Sequence, residues 1–372
     1  MHHHLSLRSL VQLGLVAAGA VSARNKCSDV DILAGQHVVY SWPSSSQPPQ
    51  ELLDLTRQGL VGGVILFGEN MDANTTTHVK QLKDAYDASP APGLLRRLTG
   101  KRTRFFVSTD QEGGYIRRIK DGEPKLSAKQ MGAAADPAAA GEAGGAGAAA
   151  TLKQWQHNVN LAPVLDVFRQ PKDFTDYWER SFGNTSAQVV AAAVPFLTAM
   201  QAAGVAGAAK HFPGLGAASH EANTDLQPVT LTQPLDELRA VDMAPYKAAI
   251  AAGIDMVMTS WALYPALDAK YPAGLSRKWV QGELRGRLGF KGVTITDAME
   301  AGAISGFGGA GETGLMAKKA GMDLLLASQR NVTQGEVIRK AIVNALKHGH
   351  LDQKDFDAAT RRIASMRSKI AA

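Results

Sequence analysis

One loop of the chain combines a lysine, two histidines, two carboxylic acids and two glycines. It runs from Lys210 to Asp225 and directly follows the apolar segment 203–209. Polar loops after apolar strands are where parallel (β/α) barrels carry their chemistry, because the loops can vary while the barrel below them stays packed. Histidines and carboxylic acids in such a loop can exchange protons with a bound substrate. The loop is therefore the first candidate for a functional site.

Other ionisable residues also follow apolar segments, and a parallel barrel brings all such strand ends to one face. Asp297, for example, directly follows Val-Thr-Ile-Thr, where it could act in catalysis or cap the next helix. A pocket with several carboxylates and cations suits a sugar, and glycoside hydrolysis needs a carboxylate and a proton donor around the anomeric carbon. The residues expected to share this face are Asp110, Asp166, Arg180, Lys210, His211 and Asp297.

Apolar segments of strand length alternate with segments of helical periodicity along the chain, and no Pro/Ser/Gly linker divides it. We therefore predict an α/β fold, a (β/α)8 TIM-type barrel that forms a single domain over residues 24–372. Predicted strands lie at 37–42, 62–67, 105–109, 160–167, 203–209, 253–260, 292–296 and 322–327. Predicted helices lie at 49–58, 75–88, 132–150, 188–203, 236–251 and 277–288, with two more at the C-terminus and a proline-containing basic linker at 90–104.

Composition excludes several classes of protein. The chain has 372 residues, 45% of them hydrophobic, and its net charge of +6 is spread without any block of like charges. This distribution argues against binding to nucleic acid or to a membrane surface. Cys27 is the single cysteine, and no Cys/His cluster has the spacing of metal ligands, so we expect no disulfide, metal or cofactor. We expect a monomer.

The N-terminus has the pattern of a secretory signal peptide. Arg8 lies in a basic first region, an apolar run follows at 10–21, and small residues stand at 21–23. The apolar run is too short to span a membrane, so cleavage is the expected outcome. We predict a signal peptide at residues 1–23, a mature chain from about Arg24, and an extracellular location.

Five short motifs occur in an order that resembles glycoside hydrolase family 3. They are Asp110–Gly114, Leu161–Val167, Arg180–Gly183, Lys210–Gly214 and Thr296–Met299, and the last reads Thr-Asp-Ala-Met. The nearest branch is the single-barrel β-N-acetylglucosaminidases of the NagZ type. The resemblance extends over most of the chain, from about residue 35 to residue 369.

The resemblance implies a role for each matching residue. Asp297 would be the nucleophile of a retaining mechanism, which attacks the anomeric carbon to form a glycosyl-enzyme. Glu112 and Asp166, judged from the residues alone, could equally be members of structural ion pairs. The residues implied to bind the sugar are Asp110, Arg118, Arg180, Lys210, His211 and Met299.

The proton donor is where the chain departs from the family pattern. NagZ-type enzymes carry Asp-Ser-His in a mobile loop, with the histidine as acid/base and the aspartate orienting it. Here Ala218 replaces that aspartate before Ser219 and His220. An imidazole without a carboxylate partner loses the group that fixes its tautomer. His220 is the expected acid/base, with Glu221 and Asp225 as alternatives.

The expected function is that of a secreted, retaining exo-β-N-acetylglucosaminidase. Its substrates would carry a terminal β-linked N-acetylglucosamine, as chitin-derived and peptidoglycan-derived oligosaccharides do. An incomplete acid/base pair leaves two alternatives open. The glycosyl-enzyme could be resolved by phosphate, by another sugar or by elimination, or the barrel could bind sugars without turning them over.

Overall fold

A computed structural model describes residues 27–371 of the chain. The predicted signal peptide at 1–23 and its boundary with the mature chain lie outside the described residues. Within residues 27–371, no helix is long and apolar enough to cross a membrane.

Eight parallel strands close into a barrel, as the alternation of apolar and helical segments predicted. The strands are β1 (Val38–Tyr40), β2 (Gly63–Ile65), β3 (Phe106–Thr109), β4 (Gln111–Gly113), β5 (Ile116–Arg117), β6 (Val159–Asn160), β7 (Ala206–Phe212), β8 (Met256–Thr259), β9 (Val293–Ala298) and β10 (Leu324–Leu326). Around the barrel they follow the order β1, β10, β9, β8, β7, β6, β3, β2, and the two short strands β4 and β5 form a separate antiparallel pair.

Helices surround the barrel. The α-helices are α1 (Asp29–Gly35), α2 (Gln50–Arg57), α3 (Thr75–Asp87), α4 (Pro90–Thr99), α5 (Ala128–Gly132), α6 (Pro137–Gln154), α7 (Phe174–Tyr177), α8 (Ser186–Ala202), α9 (Leu235–Glu237), α10 (Ala244–Ala251), α11 (Ala310–Ala320), α12 (Val332–Lys347) and α13 (Gln353–Arg367). Residues Leu238–Asp242 and Lys278–Arg287 are π-helical, and Gly68–Asn70, Ala273–Leu275 and Gly302–Phe307 are 3-10 turns.

The small residues at 132–150 allow two helices to pack with their backbones in close approach. A Cβ atom at Gly141 would lie 2.1 Å from the carbonyl oxygen of Ala192, and one at Gly145 would lie 2.0 Å from that of Phe196. Any larger residue at either position would therefore force α6 away from α8. The prediction of a small-residue helix on the barrel is confirmed, with its bounds moved to 137–154.

The predicted linker at 90–104 is wrong, because most of it is the helix α4. Ser89 caps this helix by accepting a hydrogen bond from the backbone N–H of Ala91, and Pro90 stands in the first turn, where its missing N–H costs nothing. Leu94 and Leu95 are buried against the core. Gly100 ends the helix in the left-handed conformation, with φ 70°.

Two further elements differ from prediction. The strand expected at 160–167 ends at Asn160, and the following residues leave the sheet except for a single bridge between Val164 and Lys210. The helix expected at 236–251 is divided into α9, a π-helical turn and α10, and Pro245 stands in the first turn of α10. Proline is tolerated in a first turn because it has no N–H to leave unpaired there.

Candidate active site

A cavity of about 500 Å³ opens at the C-terminal ends of the barrel strands. Asp110 directly follows β3, Lys210 and His211 lie near the end of β7, and Asp297 lies near the end of β9. The structure thus brings together six of the residues that the sequence placed at a site. These cavity-lining residues are Asp110, Arg118, Arg180, Lys210, His211 and Asp297.

Lys210 is the centre of a buried ion cluster in this cavity. Its Nζ lies 2.8 Å from Oδ1 of Asp110 and 2.7 Å from Oε1 of Glu112. Arg180 holds the same Glu112 in a bidentate pair, with Nε at 2.9 Å and Nη2 at 2.8 Å from the two carboxylate oxygens. Such planar pairing fixes orientation as well as charge. The two acids therefore hold both cations in place for a polar ligand.

The cluster keeps its own groups ionised. Burial opposes the charge of Asp110, but Lys210 and Arg118 outweigh it and lower the pKa of that carboxyl well below its usual range. Burial also raises the pKa of Glu112, but the charges of Arg180 and Lys210 outweigh this effect and lower the pKa overall. The two carboxylates in turn raise the pKa of Lys210 against the effect of burial. Ionised carboxylates accept hydrogen bonds, which suits them to sugar hydroxyl groups.

Asp166 positions His211 from below the cavity. Its fully buried carboxylate accepts hydrogen bonds from Nδ1 of His211 at 2.7 Å, from the backbone N–H of His211 at 3.1 Å, and from that of Leu215 at 2.7 Å. These three donors lower the pKa of Asp166 although burial acts in the opposite direction. Nε2 of His211 is thereby aimed towards Arg180, 3.4 Å away. Asp166 itself does not line the cavity.

Asp297 presents a carboxylate to the cavity from β9. One oxygen, Oδ1, accepts a hydrogen bond of 2.8 Å from the backbone N–H of Ala298. The carbonyl of Ala298 accepts a hydrogen bond of 2.8 Å from the indole N–H of Trp261, which secures the end of the strand. The next element, the 3-10 turn at Gly302–Phe307, begins after Ala301 without any side-chain cap. Asp297 therefore does not serve as a helix cap.

In the loop after β7, the histidine and the two acids do not all face the cavity. His220 is exposed, with 42% of its side chain accessible, and it is not among the residues that line the cavity. Its Nδ1 lies 3.0 Å from Oε1 of Glu221, and its ring packs 4.0 Å from that of Tyr177. Glu221 thus supplies a carboxylate partner that Ala218 cannot. Asp225, by contrast, lines the cavity together with Asp297.

Two of the expected sugar-binding residues occupy different environments. Arg118 lines the cavity, with Nη2 3.5 Å from Oδ2 of Asp110 and its guanidinium 6.0 Å from the ring centre of Phe67. Met299 is buried in the core and does not line the cavity. Its backbone N–H donates to the carbonyl of Leu326 at 3.0 Å, so its visible role is to connect β9 with β10.

The cavity also contains residues that the sequence analysis did not single out. Trp178, directly after α7, lines the wall with 43% of its surface exposed. Burial raises the pKa of Glu300, and Ser328 Oγ donates a hydrogen bond of 2.7 Å to its carboxyl. Arg330 stacks its guanidinium 4.0 Å from the ring centre of Phe67. Trp178 and Glu300 each lie within three residues of a motif residue, whereas nothing local indicates Arg330.

Comparison with known proteins gives consistent matches. Over residues 11–366 the chain matches the family model described as the glycosyl hydrolase family 3 N terminal domain. It is 47% identical over 361 residues to an uncharacterized secreted glycosyl hydrolase of Arthroderma benhamiae. The aligned region covers 97% of this chain and 98% of that protein. It is 33% identical over 285 residues to a beta-hexosaminidase of Tolumonas auensis, covering 74% and 77% of the two chains.

A solved structure matches as well. It is a glycoside hydrolase family 3 beta-N-acetylglucosaminidase from Paenibacillus sp. str. FPU-7, with a TM-score of 0.82 and 29% identity over 91% of this chain. The present chain spans 62% of that longer protein. The Paenibacillus protein therefore contains a similar barrel and further residues beyond it.

Proposed function

Because the chain belongs to glycosyl hydrolase family 3, we propose that it removes terminal β-linked N-acetylglucosamine with retention of configuration. Its class is that of a glycoside hydrolase, with beta-hexosaminidases among its relatives. The observation that carries the finer proposal is the shared cavity, in which the Asp297 carboxylate accompanies the ion cluster of Lys210, Asp110 and Glu112. One group can attack the anomeric carbon while the others hold the sugar ring.

The ion cluster suits the binding of one sugar by its hydroxyl groups. Asp110 is held ionised and can accept from hydroxyl hydrogens, and Lys210 and Arg180 can donate to hydroxyl oxygens. Each of these groups is already fixed by a partner inside the protein. Preorganised polar groups need little rearrangement when the substrate binds, which is where their contribution to catalysis arises.

The proposed reaction has two covalent steps. In the first, a carboxylate oxygen of Asp297 bonds to the anomeric carbon while the bond to the leaving oxygen breaks and that oxygen receives a proton. In the second, a water molecule gives up a proton and attacks the same carbon, and the ester bond to Asp297 breaks. Two inversions leave the released sugar in its original β configuration. We propose that the proton donor comes from the loop that contains His220, Glu221 and Asp225.

Two of the relatives support the choice of sugar. The Paenibacillus protein is named a beta-N-acetylglucosaminidase and the Tolumonas auensis protein a beta-hexosaminidase. We propose chitin-derived or peptidoglycan-derived oligosaccharides as substrates, since both present a terminal β-linked N-acetylglucosamine. Extracellular action is part of the proposal, supported by the signal pattern at residues 1–23 and by the secreted relative from Arthroderma benhamiae.

A panel of aryl β-glycosides and chitooligosaccharides tests this function. We expect turnover of the aryl N-acetyl-β-glucosaminide above the glucoside and xyloside, and early NMR spectra that show the β anomer of N-acetylglucosamine. Spectra recorded with and without phosphate separate hydrolysis from phosphorolysis, and new oligosaccharides would reveal transfer. An Asp297→Asn variant that keeps most of the parent activity, or a parent that binds N-acetylglucosamine without any turnover, would contradict the proposal.

A further inference from the structure

The proton donor of a glycosidase has to reach the leaving oxygen beside the nucleophile. His220 does not meet this condition in the structure, because its side chain is 42% exposed and does not line the cavity. Asp225 does line the cavity that contains Asp297. The loop therefore offers one carboxyl group in the cavity and one imidazole outside it.

Backbone hydrogen bonds fix the position of Asp225 relative to the nucleophile. Its carbonyl accepts a hydrogen bond of 2.8 Å from Gly302, and the carbonyl of Thr224 accepts one of 3.1 Å from Ala303. Both donors belong to the segment that leaves β9 a few residues after Asp297. A Cβ atom at position 302 would lie only 2.2 Å from the carbonyl oxygen of Leu226, so glycine permits this contact. The turn is thus attached to the chain that bears the nucleophile.

The side chain of Asp225 is left free by this arrangement. Its backbone N–H donates to Oδ1 of Asn223 at 2.9 Å, which shapes the turn. Within residues 27–371, no side chain or backbone group forms a hydrogen bond or ion pair with the Asp225 carboxyl. The group is therefore not needed to hold the loop together. This distinguishes it from Asp110, Glu112 and Asp166, each of which is bound to partners within the protein.

We propose that Asp225 is the general acid and base of this enzyme. The proposal rests on the proposed function, with Asp297 as nucleophile. In the first step the protonated Asp225 carboxyl transfers its proton to the glycosidic oxygen as the bond from that oxygen to the anomeric carbon breaks. In the second step the Asp225 carboxylate removes a proton from the attacking water, and the ester bond to Asp297 breaks. Asp225 ends the cycle protonated, as it began.

The charges around Asp225 suit this role. Although the residue as a whole is exposed, neighbouring protein desolvates its carboxyl group, and this together with the nearby Asp297 carboxylate raises the pKa of Asp225 to about 6. Arg180 and His211 act in the opposite direction, and Glu300 adds to the rise. In glycosidases the carboxyl group that acts as the acid commonly has a raised pKa and stands near the carboxyl group that acts as the nucleophile.

Chemical rescue provides the test. Asp225→Ala and Asp225→Asn should lose about 100- to 10,000-fold in kcat/KM on phenyl N-acetyl-β-glucosaminide, the range typical for a lost general acid. Loss on the dinitrophenyl glycoside should be much smaller, because that leaving group needs no proton. Azide should accelerate Asp225→Ala on the dinitrophenyl substrate and give the β-glycosyl azide, since a small anion replaces the missing base in the second step.

Two further variants keep the outcomes distinct. Asp297→Gly with azide should give the α-glycosyl azide, which confirms the nucleophile independently, and its failure would count against the proposed function. In His220→Ala, kcat/KM should depend on the leaving group as it does in the parent, and azide should give no glycosyl azide. The opposite result would be a large loss on the phenyl substrate and a β-glycosyl azide from His220→Ala, with Asp225→Ala behaving like the parent. In that case the acid/base is His220 and the proposal for Asp225 is overturned. Circular dichroism verifies that each variant is folded.

Discussion

The ammonium group of Lys210 lies 2.8 Å from a carboxylate oxygen of Asp110, a residue 100 positions earlier in the chain. The pair joins the end of β7 to the residue after β3, with 3% and 14% of the two side chains exposed. Burial of charges is tolerated here because each charge has a partner. The cluster therefore combines two roles, since the groups that hold the loops together are also those that face the proposed sugar.

Replacing Lys210 by methionine tests this double role. The change leaves Asp110 and Glu112 without their shared cation, so we expect the free energy of unfolding in urea to fall by roughly 3–5 kcal/mol, the cost typical of breaking a buried pair. The value of kcat/KM should also fall by at least about 10-fold, because a hydrogen bond to a charged group is lost. The matched control is Lys80→Met, whose pair with Asp84 is exposed and should cost less than about 1 kcal/mol. Equal losses in the two variants would show that burial does not make the Lys210 pair more stabilising than an exposed pair.

The sequence predicted the parts of the site that follow from strand ends. Asp110, Lys210 and Asp297 each come directly after or within an apolar strand, and the barrel rule places such residues on one face. Trp178 and Arg330 could not be placed in this way, because both lie on irregular segments whose course depends on distant contacts. The backbone of Arg330, for instance, donates a hydrogen bond of 2.9 Å to Ser41, 289 residues away.

In the loop after β7, too, the sequence predicted only part of the site. Its composition marked it as functional, but the sequence does not reveal which of His220, Glu221 and Asp225 enters the cavity. That choice depends on backbone contacts between the turn at Asp225 and Gly302, two segments that are far apart in the chain. Such long-range pairing has no local sequence signature beyond a glycine that tolerates the close approach.

Asp323 should make the stability of the barrel depend on pH in the acidic range. It is fully buried, and Arg362 and Arg285 bind it at 2.7 and 2.8 Å. Burial raises its pKa, but the hydrogen bond from Arg362 and the charges of both arginines outweigh this and lower the pKa overall. A carboxylate whose pKa is lower in the folded state stabilises that state above its pKa in the unfolded chain, which is roughly 4. This stabilisation is lost as the pH falls from that value through the pKa in the folded state.

The variant Asp323→Asn measures this contribution. At pH 7 we expect it to unfold at a lower urea concentration than the parent, by about 3–5 kcal/mol, because two cations lose their partner. The difference should shrink as the pH falls below about 4, because the carboxyl of the unfolded parent is then protonated and that of the folded parent follows at lower pH. Asp54→Asn is the control, since its pair with Arg57 is half exposed on both sides. A difference between parent and Asp323→Asn that does not change between pH 7 and pH 3 would exclude this account.

Gly145 should be intolerant of even one added carbon. A Cβ atom there would meet the backbone oxygen of Phe196 at 2.0 Å, and α6 and α8 would have to separate. We expect Gly145→Ala to lower the free energy of unfolding by roughly 1–3 kcal/mol through overpacking. Gly93→Ala in α4 is the matched control, since its Cβ would have no neighbour closer than 4.0 Å and alanine favours the helix by about 0.5–1 kcal/mol. Stabilisation in both variants would show that the helices can adjust.

Trp178 should contribute to the binding of a second sugar. It lines the cavity, is 43% exposed, and stands edge-on to Tyr177 at 5.2 Å, so its exposed face can stack on a ring. For Trp178→Ala we expect KM for chitobiose to rise about 3- to 10-fold with little change in kcat, as stacking contributes about 1 kcal/mol. Tyr115→Ala is the control, because Tyr115 is 63% exposed and does not line the cavity. Equal effects in the two variants would argue against a specific sugar contact.

The pH dependence of kcat/KM should show which group donates the proton. A general acid must be protonated in the free enzyme, so activity should fall as the pH rises through its pKa, which for Asp225 is about 6. We expect a basic limb near pH 6 with phenyl N-acetyl-β-glucosaminide, and a weaker one with the dinitrophenyl glycoside. In Asp225→Asn this limb should disappear, whereas His220→Ala should retain it. A basic limb that persists in Asp225→Asn and is lost in His220→Ala would assign the titration to the imidazole instead.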